Sequence, residues 1–190
     1  IRIMAYRSKK QAFVLLADGT QFFGKSIGIE GDAFGEICFN TGMTGYQEIL
    51  TDPSYHSQIV TMTSPHIGNY GINSEDVESS SIRVAGFVVR EESTVPSSWR
   101  SDGSLSSYLK KNNITGIKSV DTRAITNHIR KNGAMNGIIS AIDHNLNSLK
   151  KKLSDAPNME GLDLTKVVSC KEVYEWSKNK KAEYNVCLLY

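Results

Sequence analysis

The sequence predicts an α+β fold, with a first half that is mostly β and a second half in which strands and helices alternate. Between residues 13 and 92, short runs rich in β-branched and aromatic residues are separated by turn formers, which is the pattern of strands. After about residue 100, segments with apolar residues three or four positions apart alternate with short extended runs. This alternation favours a strand–helix–strand order.

The first half contains five predicted strands. The first two form a hairpin in AFVLLADGTQFFGKSIGI, because Asp18-Gly19 is a strong tight-turn signal and glycine adopts the positive φ that such turns require. The segment GEICFN alternates Ile37 and Phe39 with polar residues, as expected for a short, half-buried strand. Two further strands are predicted in SQIVTMTS and IRVAGFVVRE, which are rich in β-branched residues.

Three helices and two strands are predicted in the second half. The helix in SLSSYLKKNN begins at an N-cap, either Ser104 or Asp102. Asp121 can cap the helix in TRAITNHIRKNG, where Ile125 and Ile129 lie on one face. The remaining elements are the strands ITGIKSV and MNGIISAI and the basic amphipathic helix NLNSLKKKLSDAP.

The composition is that of a soluble globular protein that can bury a core. With 190 residues, of which 39% are hydrophobic and 22% charged, the chain fits one domain or one domain plus a fragment. The net charge of +2 gives no reason to expect nucleic acid or an anionic membrane as a partner. No apolar run approaches the roughly 18 residues of a membrane helix, and the N-terminal residues do not resemble a secretory signal. Three cysteines, an odd and scattered set, do not form a disulfide framework or a zinc pattern and so predict a reducing, cytoplasmic location.

The residues alone indicate no catalytic, metal-binding or phosphate-binding pattern. The four histidines lack the spacing of metal ligands. Cys38, Cys170 and Cys187 are expected to be structural, since free cysteine is usually a small buried hydrophobic residue. The stretch from Gly19 to Ser26 matches G-x-x-x-x-G-K-S literally, but it lies in the predicted hairpin. Without a strand–loop–helix context its backbone amides do not converge on a phosphate.

Two loops are unusually rich in turn-forming residues: NTGMTGYQEILTDPSY at residues 40–55 and TSPHIGNYGIN at residues 63–73. In the first loop, Asp52 and Pro53 form a turn that leaves the hydroxyl group of Ser54 free to point outward. The loops flank the strand QIVTMTS and are expected at opposite ends of it. A binding role and a purely structural role remain open for both loops.

Three long stretches carry a resemblance to a known family: GEICFNTGMTGYQEILTDPSYHSQIVTMTSPHIGNYGIN, SSWRSDGSLSSYLKKNNITGIKSVDTRAITNHIRKNGAMNGII and GLDLTKVVS. They resemble the small, glutamine-hydrolysing subunit of carbamoyl phosphate synthetase, from about Phe13 to Ser169. The resemblance implies an N-terminal domain with β/β/α layers, joined by a linker to a class I glutaminase domain. We therefore expect that N-terminal domain in residues 1–169, the linker in 170–183, and the first strand of the glutaminase domain in 184–190.

The resemblance also implies a function. The small subunit takes ammonia from glutamine and passes it to a large subunit, which makes carbamoyl phosphate from ammonia, bicarbonate and ATP for arginine or pyrimidine synthesis. In the family the catalytic Cys, His and Glu lie downstream of the equivalent of Tyr190, so no catalytic residue is expected here and the chain alone should be inactive. ATP and a divalent metal are expected on the large subunit, and no cofactor on this chain.

One residue of the glutamine site is implied for this chain. In the family the serine of the DPSY turn reaches across the domain boundary towards glutamine, and here that residue is Ser54. Its neighbours Thr44, Gly45, Tyr46 and Gln47 are secondary candidates. The expected partners are the large subunit, the downstream glutaminase domain and L-glutamine. The alternative is a free-standing, non-catalytic binding or scaffold module.

Overall fold

The computed structural model describes residues 11–159, 161–175, 183–184 and 186–187. The strands are β1 (Gln11–Leu16), β2 (Gln21–Gly28), β3 (Asp32–Asn40), β4 (Ile59–Met62), β5 (His66–Ile67), β6 (Gly86–Val88), β7 (Glu91–Glu92), β8 (Thr115–Lys118) and β9 (Met135–Ser140). The helices are α1 (Tyr46–Thr51), α2 (Leu105–Lys111), α3 (Thr122–Asn132), α4 (Leu146–Asp155) and α5 (Thr165–Val168), with a 3₁₀ turn at Pro53–Tyr55. The predicted α+β fold class is confirmed.

Seven strands hydrogen-bond in a closed ring, in the order β1, β2, β8, β6, β4, β3, β9 and back to β1. The neighbours β3–β4, β4–β6 and β6–β8 are parallel, and the other pairs are antiparallel. Parallel neighbours need a crossover connection, and α1 and α2 lie in two of these connections. The strands β5 and β7 form a separate two-stranded sheet.

Apolar side chains fill the inside of the ring and form two further clusters on its outer surface. Val14 and Leu16 of β1 belong to a cluster to which six of the seven strands contribute, so this cluster fills the inside of the ring. Ile125 of α3 packs into the same cluster. The intervening Phe13 of β1 points outward and packs beneath α4. A second outer cluster lies between the ring and the helices α1 and α2.

The predicted hairpin and helix caps are confirmed. The segments before and after Asp18-Gly19 are the antiparallel strands β1 and β2, so the G-x-x-x-x-G-K-S match lies in a hairpin. Ser104, and not Asp102, caps α2, because its hydroxyl accepts a hydrogen bond from the Ser107 amide at 3.3 Å. The Asp121 carboxylate accepts one from the Ala124 amide at 3.0 Å and caps α3.

The expected burial of the cysteines is wrong for two of the three. Cys38 is half-buried in β3, but Cys170 and Cys187 are exposed, because no core of the described fold covers them. Residues 170–175 and 183, the described part of the predicted linker, form neither helix nor strand. The predicted strand at 184–190 lies largely outside the described residues, so the proposed domain boundaries stay predictions. No helix in the described ranges is long and apolar enough to cross a membrane.

Candidate functional site

Ser54 lies in the 3₁₀ turn of the crossover that connects the parallel strands β3 and β4. The Asp52 side chain accepts a hydrogen bond from the Ser54 amide at 2.8 Å, and Pro53 fixes the backbone at the start of the turn. Ser54 is exposed, and its hydroxyl has no hydrogen-bond partner within the described part of the chain. The predicted Asp-Pro turn is therefore present, with its serine hydroxyl open to solvent.

The turn is anchored to the end of β3. The Tyr55 hydroxyl accepts a hydrogen bond from the Asn40 side-chain amide at 2.9 Å. The oxygen of that same amide accepts a bond from the Gly42 backbone at 2.7 Å, which orients Asn40. Tyr55 also packs against the outer cluster beneath α1 and α2. The Ser54 hydroxyl is thus displayed from a backbone that is held on both sides.

The beginning of this loop packs against the second turn-rich loop. The rings of Tyr46 and Tyr70 stack with their centroids 4.2 Å apart. The Tyr70 hydroxyl accepts hydrogen bonds from the Gly45 and Tyr46 amides at 2.7 and 3.1 Å. The Tyr46 hydroxyl donates to the Gly71 carbonyl at 2.6 Å.

The two loops are expected at opposite ends of β4. The last part of the first loop, the DPSY turn, does lie at the other end of β4 from the second loop, but the beginning of the first loop lies at the same end as the second loop. Because β3 and β4 are parallel, with Asn40 beside Met62, the chain leaves both strands at the same edge of the sheet. The first loop begins at this edge, where it meets the second loop, and then returns through the DPSY turn to the start of β4.

The secondary candidates have different surroundings from Ser54. Tyr46 and Gln47 are fully buried, and burial raises the pKa of Tyr46. The Gln47 side-chain oxygen accepts a hydrogen bond from the Asn73 amide at 2.9 Å, and its nitrogen donates to the Asn73 carbonyl. These two side chains support the loops from inside. Thr44 is exposed, and Gly45 contributes its backbone.

The thiol of Cys38, on β3, is not prepared for nucleophilic attack. Burial, with a smaller contribution from the Glu36 carboxylate, raises the pKa of Cys38 to about 12. The thiol faces the Gln58 side-chain oxygen at 3.6 Å. A thiolate is the reactive form of cysteine, and at neutral pH almost none of Cys38 is ionised. Among the described residues, no group of three or more His, Cys, Asp or Glu side chains could hold a metal ion.

Sequence reasoning did not single out His56, which follows the DPSY turn. Its Nδ1 atom is buried and has no hydrogen-bond partner among the described residues. The same is true of the Glu48 Oε2 atom on α1. Neither residue belongs to a recognisable ligand spacing. For His56, only its position beside the DPSY turn could have drawn attention to it.

The comparisons with known proteins agree with the resemblance found in the sequence. Residues 14–139 match the family described as carbamoyl-phosphate synthase small chain, CPSase domain. The carbamoyl phosphate synthase small chain of Syntrophotalea carbinolica is 56% identical over 168 residues, which cover 88% of this chain and 45% of that protein. The small chain of Thermotoga maritima is 53% identical over 180 residues, which cover 95% of this chain and 45% of that protein.

The small chain of Vibrio cholerae is 53% identical over 170 residues, which cover 89% of this chain and 45% of that protein. The chain therefore spans less than half the length of these curated relatives. The family match covers most of the ring, from β1 into β9. The chain therefore belongs to the carbamoyl phosphate synthase small chain family and corresponds to its N-terminal CPSase domain.

Proposed function

We propose that this chain is the N-terminal part of a glutamine-hydrolysing small subunit, and that Ser54 completes the glutamine site of that subunit. The observation that carries the proposal is the exposed Ser54 hydroxyl, which has no partner among the described residues and is held on an anchored turn. The ammonia released from glutamine would feed a large subunit, which would bind ATP and a divalent metal and make carbamoyl phosphate in the cytoplasm.

A serine hydroxyl suits this role because it can both donate and accept a hydrogen bond. It can donate to the α-carboxylate of glutamine or accept from the ammonium group. The bond that Asp52 accepts from the Ser54 amide fixes the direction of the turn before the ligand arrives. Pre-ordering a binding group reduces the entropy that binding costs.

The chemistry of hydrolysis belongs, in this proposal, to the part of the small chain that the present chain does not span. Attack on the glutamine amide needs a thiolate with a base beside it. Cys38, with a pKa of about 12, does not provide one. The described domain therefore binds and positions the substrate, and the remainder of the subunit would supply nucleophile, base and orienting carboxylate.

The test is the variant Ser54→Ala in the full-length small chain, assembled with the large subunit. Loss of one hydrogen bond to a polar or charged ligand group raises the KM for glutamine by roughly 3- to 100-fold. Synthesis of carbamoyl phosphate from free ammonia should be unchanged, because that reaction bypasses the glutamine site.

The matched control is Ser80→Ala, since Ser80 is also exposed and its side chain makes no hydrogen bond within the described residues. This variant should keep the wild-type KM for glutamine. An unchanged KM in Ser54→Ala, or an equal loss of the glutamine-dependent and ammonia-dependent rates, would contradict the proposed role of Ser54.

A further inference from the structure

Asn40, the last residue of β3, is bonded to three separate parts of the two turn-rich loops. Its side-chain nitrogen donates a hydrogen bond to the Tyr55 hydroxyl at 2.9 Å, and its side-chain oxygen accepts one from the Gly42 amide at 2.7 Å. Its backbone carbonyl accepts a bond from the Thr63 amide at 3.0 Å. One residue therefore holds the DPSY turn, the beginning of the first loop and the beginning of the second loop.

The orientation of the Asn40 side chain is fixed. Asn40 pairs with Met62 of β4, so its backbone belongs to the sheet. The Gly42 amide can only donate a hydrogen bond, so the side-chain oxygen of Asn40 must lie on that side and the nitrogen must face Tyr55. The contact with Gly42 is close, because a Cβ atom added to Gly42 would lie 2.9 Å from the Asn40 oxygen. The donor that reaches Tyr55 is thus held in place before any ligand binds.

The chain after Tyr55 is fixed by its backbone. The Ser57 amide donates to the Arg83 carbonyl at 3.0 Å, and Ser57 adopts a left-handed φ of 63°. The Ser57 carbonyl lies against Gly35 of β3, where any side chain would collide with it. The Gln58 amide donates to the Tyr55 carbonyl at 3.1 Å. The Tyr55 side chain is therefore the link between this fixed backbone and the part of the turn that precedes it.

Ser54 and Tyr55 share the 3₁₀ turn, so a shift of one shifts the other. The Tyr55 amide donates to the Asp52 carbonyl at 3.1 Å, and the Asp52 side chain accepts from the Ser54 amide at 2.8 Å. The Ser54 hydroxyl has no partner among the described residues, so its place is set only through the turn. Hydrogen bonds weaken steeply as distance and angle depart from the optimum, so a small shift of the turn weakens the bond to a ligand.

We propose that Asn40 and Tyr55 are positioning residues of the glutamine site, which act through Ser54 by the hydrogen bond between their side chains. The role rests on the proposed function, because Ser54 meets glutamine only in that proposal. The bond fixes the turn to the end of β3, so that the Ser54 hydroxyl is in place before glutamine arrives. Neither side chain touches the substrate in this proposal.

The test measures the KM for glutamine with the full-length small chain assembled with the large subunit. Tyr55→Phe removes the hydroxyl but keeps the ring, which packs against the outer cluster beneath α1 and α2. We expect the KM to rise about three- to tenfold and kcat to change by less than about twofold. Asn40→Ala should raise the KM at least as much. The double variant should not exceed Asn40→Ala, because both substitutions remove the same bond.

The decisive measurement adds Tyr55→Phe to a chain that already carries Ser54→Ala. A residue that acts through Ser54 has no hydroxyl left to position there, so the KM should equal that of Ser54→Ala alone. Asn112→Ala is the matched control, since the half-buried Asn112 side chain also donates a hydrogen bond at 2.9 Å, to the Tyr108 carbonyl of α2. This control should keep the wild-type KM even where its stability falls.

The outcomes separate the positioning role from the proposed function. If Ser54→Ala leaves the KM unchanged, the proposed function fails and the positioning role fails with it. If Ser54→Ala raises the KM and Tyr55→Phe does not, only the positioning role is wrong. An equal rise caused by Tyr55→Phe with and without Ser54→Ala would show that Tyr55 acts by another route. A rise in Asn112→Ala that matches Asn40→Ala would show that the KM follows general stability. Either of these last two results would overturn the positioning role.

Discussion

Tyr70 connects, through one oxygen atom, the two loops around the candidate site. Its hydroxyl accepts hydrogen bonds from the Gly45 and Tyr46 amides, which lie at the start of α1. The first amides of a helix have no partner inside the helix, and Gly45 has no side chain with which to cap them. A phenol from 25 residues farther along the chain takes the place of the missing cap.

The substitution Tyr70→Phe should therefore lower the free energy of unfolding by about 1–3 kcal/mol, because it leaves two amides without an acceptor while it keeps the stacked ring. Urea unfolding of the variant and the wild type measures this difference. Tyr184→Phe is the control, since Tyr184 is 76% exposed, and it should change the stability by less than about 0.5 kcal/mol. Equal stability of Tyr70→Phe and the wild type would show that the two bonds contribute nothing.

At the scale of elements, α4 is fixed to the ring by a lysine of the helix that the sequence predicts to be basic and amphipathic. The Lys152 ammonium lies 2.6 Å from an Asp32 oxygen on β3 and 3.0 Å from an Asp143 oxygen before the helix. The Ser148 hydroxyl donates to the same Asp143 oxygen at 2.7 Å. The helix is thus positioned by charge as well as by its apolar face.

This arrangement predicts a dependence of stability on acid. The Ser148 hydroxyl, the Asn145 amide and Lys152 together lower the pKa of Asp143 from 3.8 to about 2. Because the pKa is lower in the folded state, Asp143 stabilises the fold above about pH 4 and loses this effect as the pH falls towards 2.

The variant Asp143→Asn should accordingly be less stable than the wild type at pH 7, and its stability should fall less steeply between about pH 4 and 2. Denaturant unfolding at a series of pH values gives both curves. Asp155→Asn, at the exposed end of α4, is the control and should keep the steep acid branch of the wild type. Parallel curves for wild type and Asp143→Asn would disprove the role of this carboxylate.

At the scale of the whole molecule, the described residues form a packed core, and the thiol of its sheet is not a prepared nucleophile. The inside of the ring and both outer clusters are closed by the described helices. The thiol in the sheet, Cys38, is half-buried with a pKa of about 12. In the proposed function, structure and binding therefore belong to this domain, and bond cleavage belongs to another part of the subunit.

Residues 1–190 alone should for this reason release no ammonia from glutamine, whereas the full-length small chain should. An enzyme-coupled ammonia assay measures the release, with Cys38→Ser in the same 190 residues as the matched control. Release from residues 1–190 above that of Cys38→Ser would make Cys38 a nucleophile. Equal release from both, above the buffer blank, would place an active group elsewhere in the chain. Either result would contradict the division of labour proposed here.

The sequence by itself determined the local features of this protein. The β1–β2 hairpin, the caps at Ser104 and Asp121 and the Asp-Pro turn that exposes Ser54 are all present as predicted. Each depends on residues a few positions apart, whose backbone preferences and hydrogen bonds are the same in most folds. The resemblance to the family was also readable without a structure, and the family match confirms it.

Only the tertiary structure decided which distant parts meet. The ring closes because Phe13 pairs opposite Ser140, and the two loops join because Tyr46 stacks on Tyr70. The bond between the Asn40 and Tyr55 side chains depends likewise on how the DPSY turn folds back towards the end of β3. Periodicity shows that a strand or helix has a buried face, but it does not show which other element covers that face. Strand pairing and loop packing are set by contacts between residues far apart in the chain.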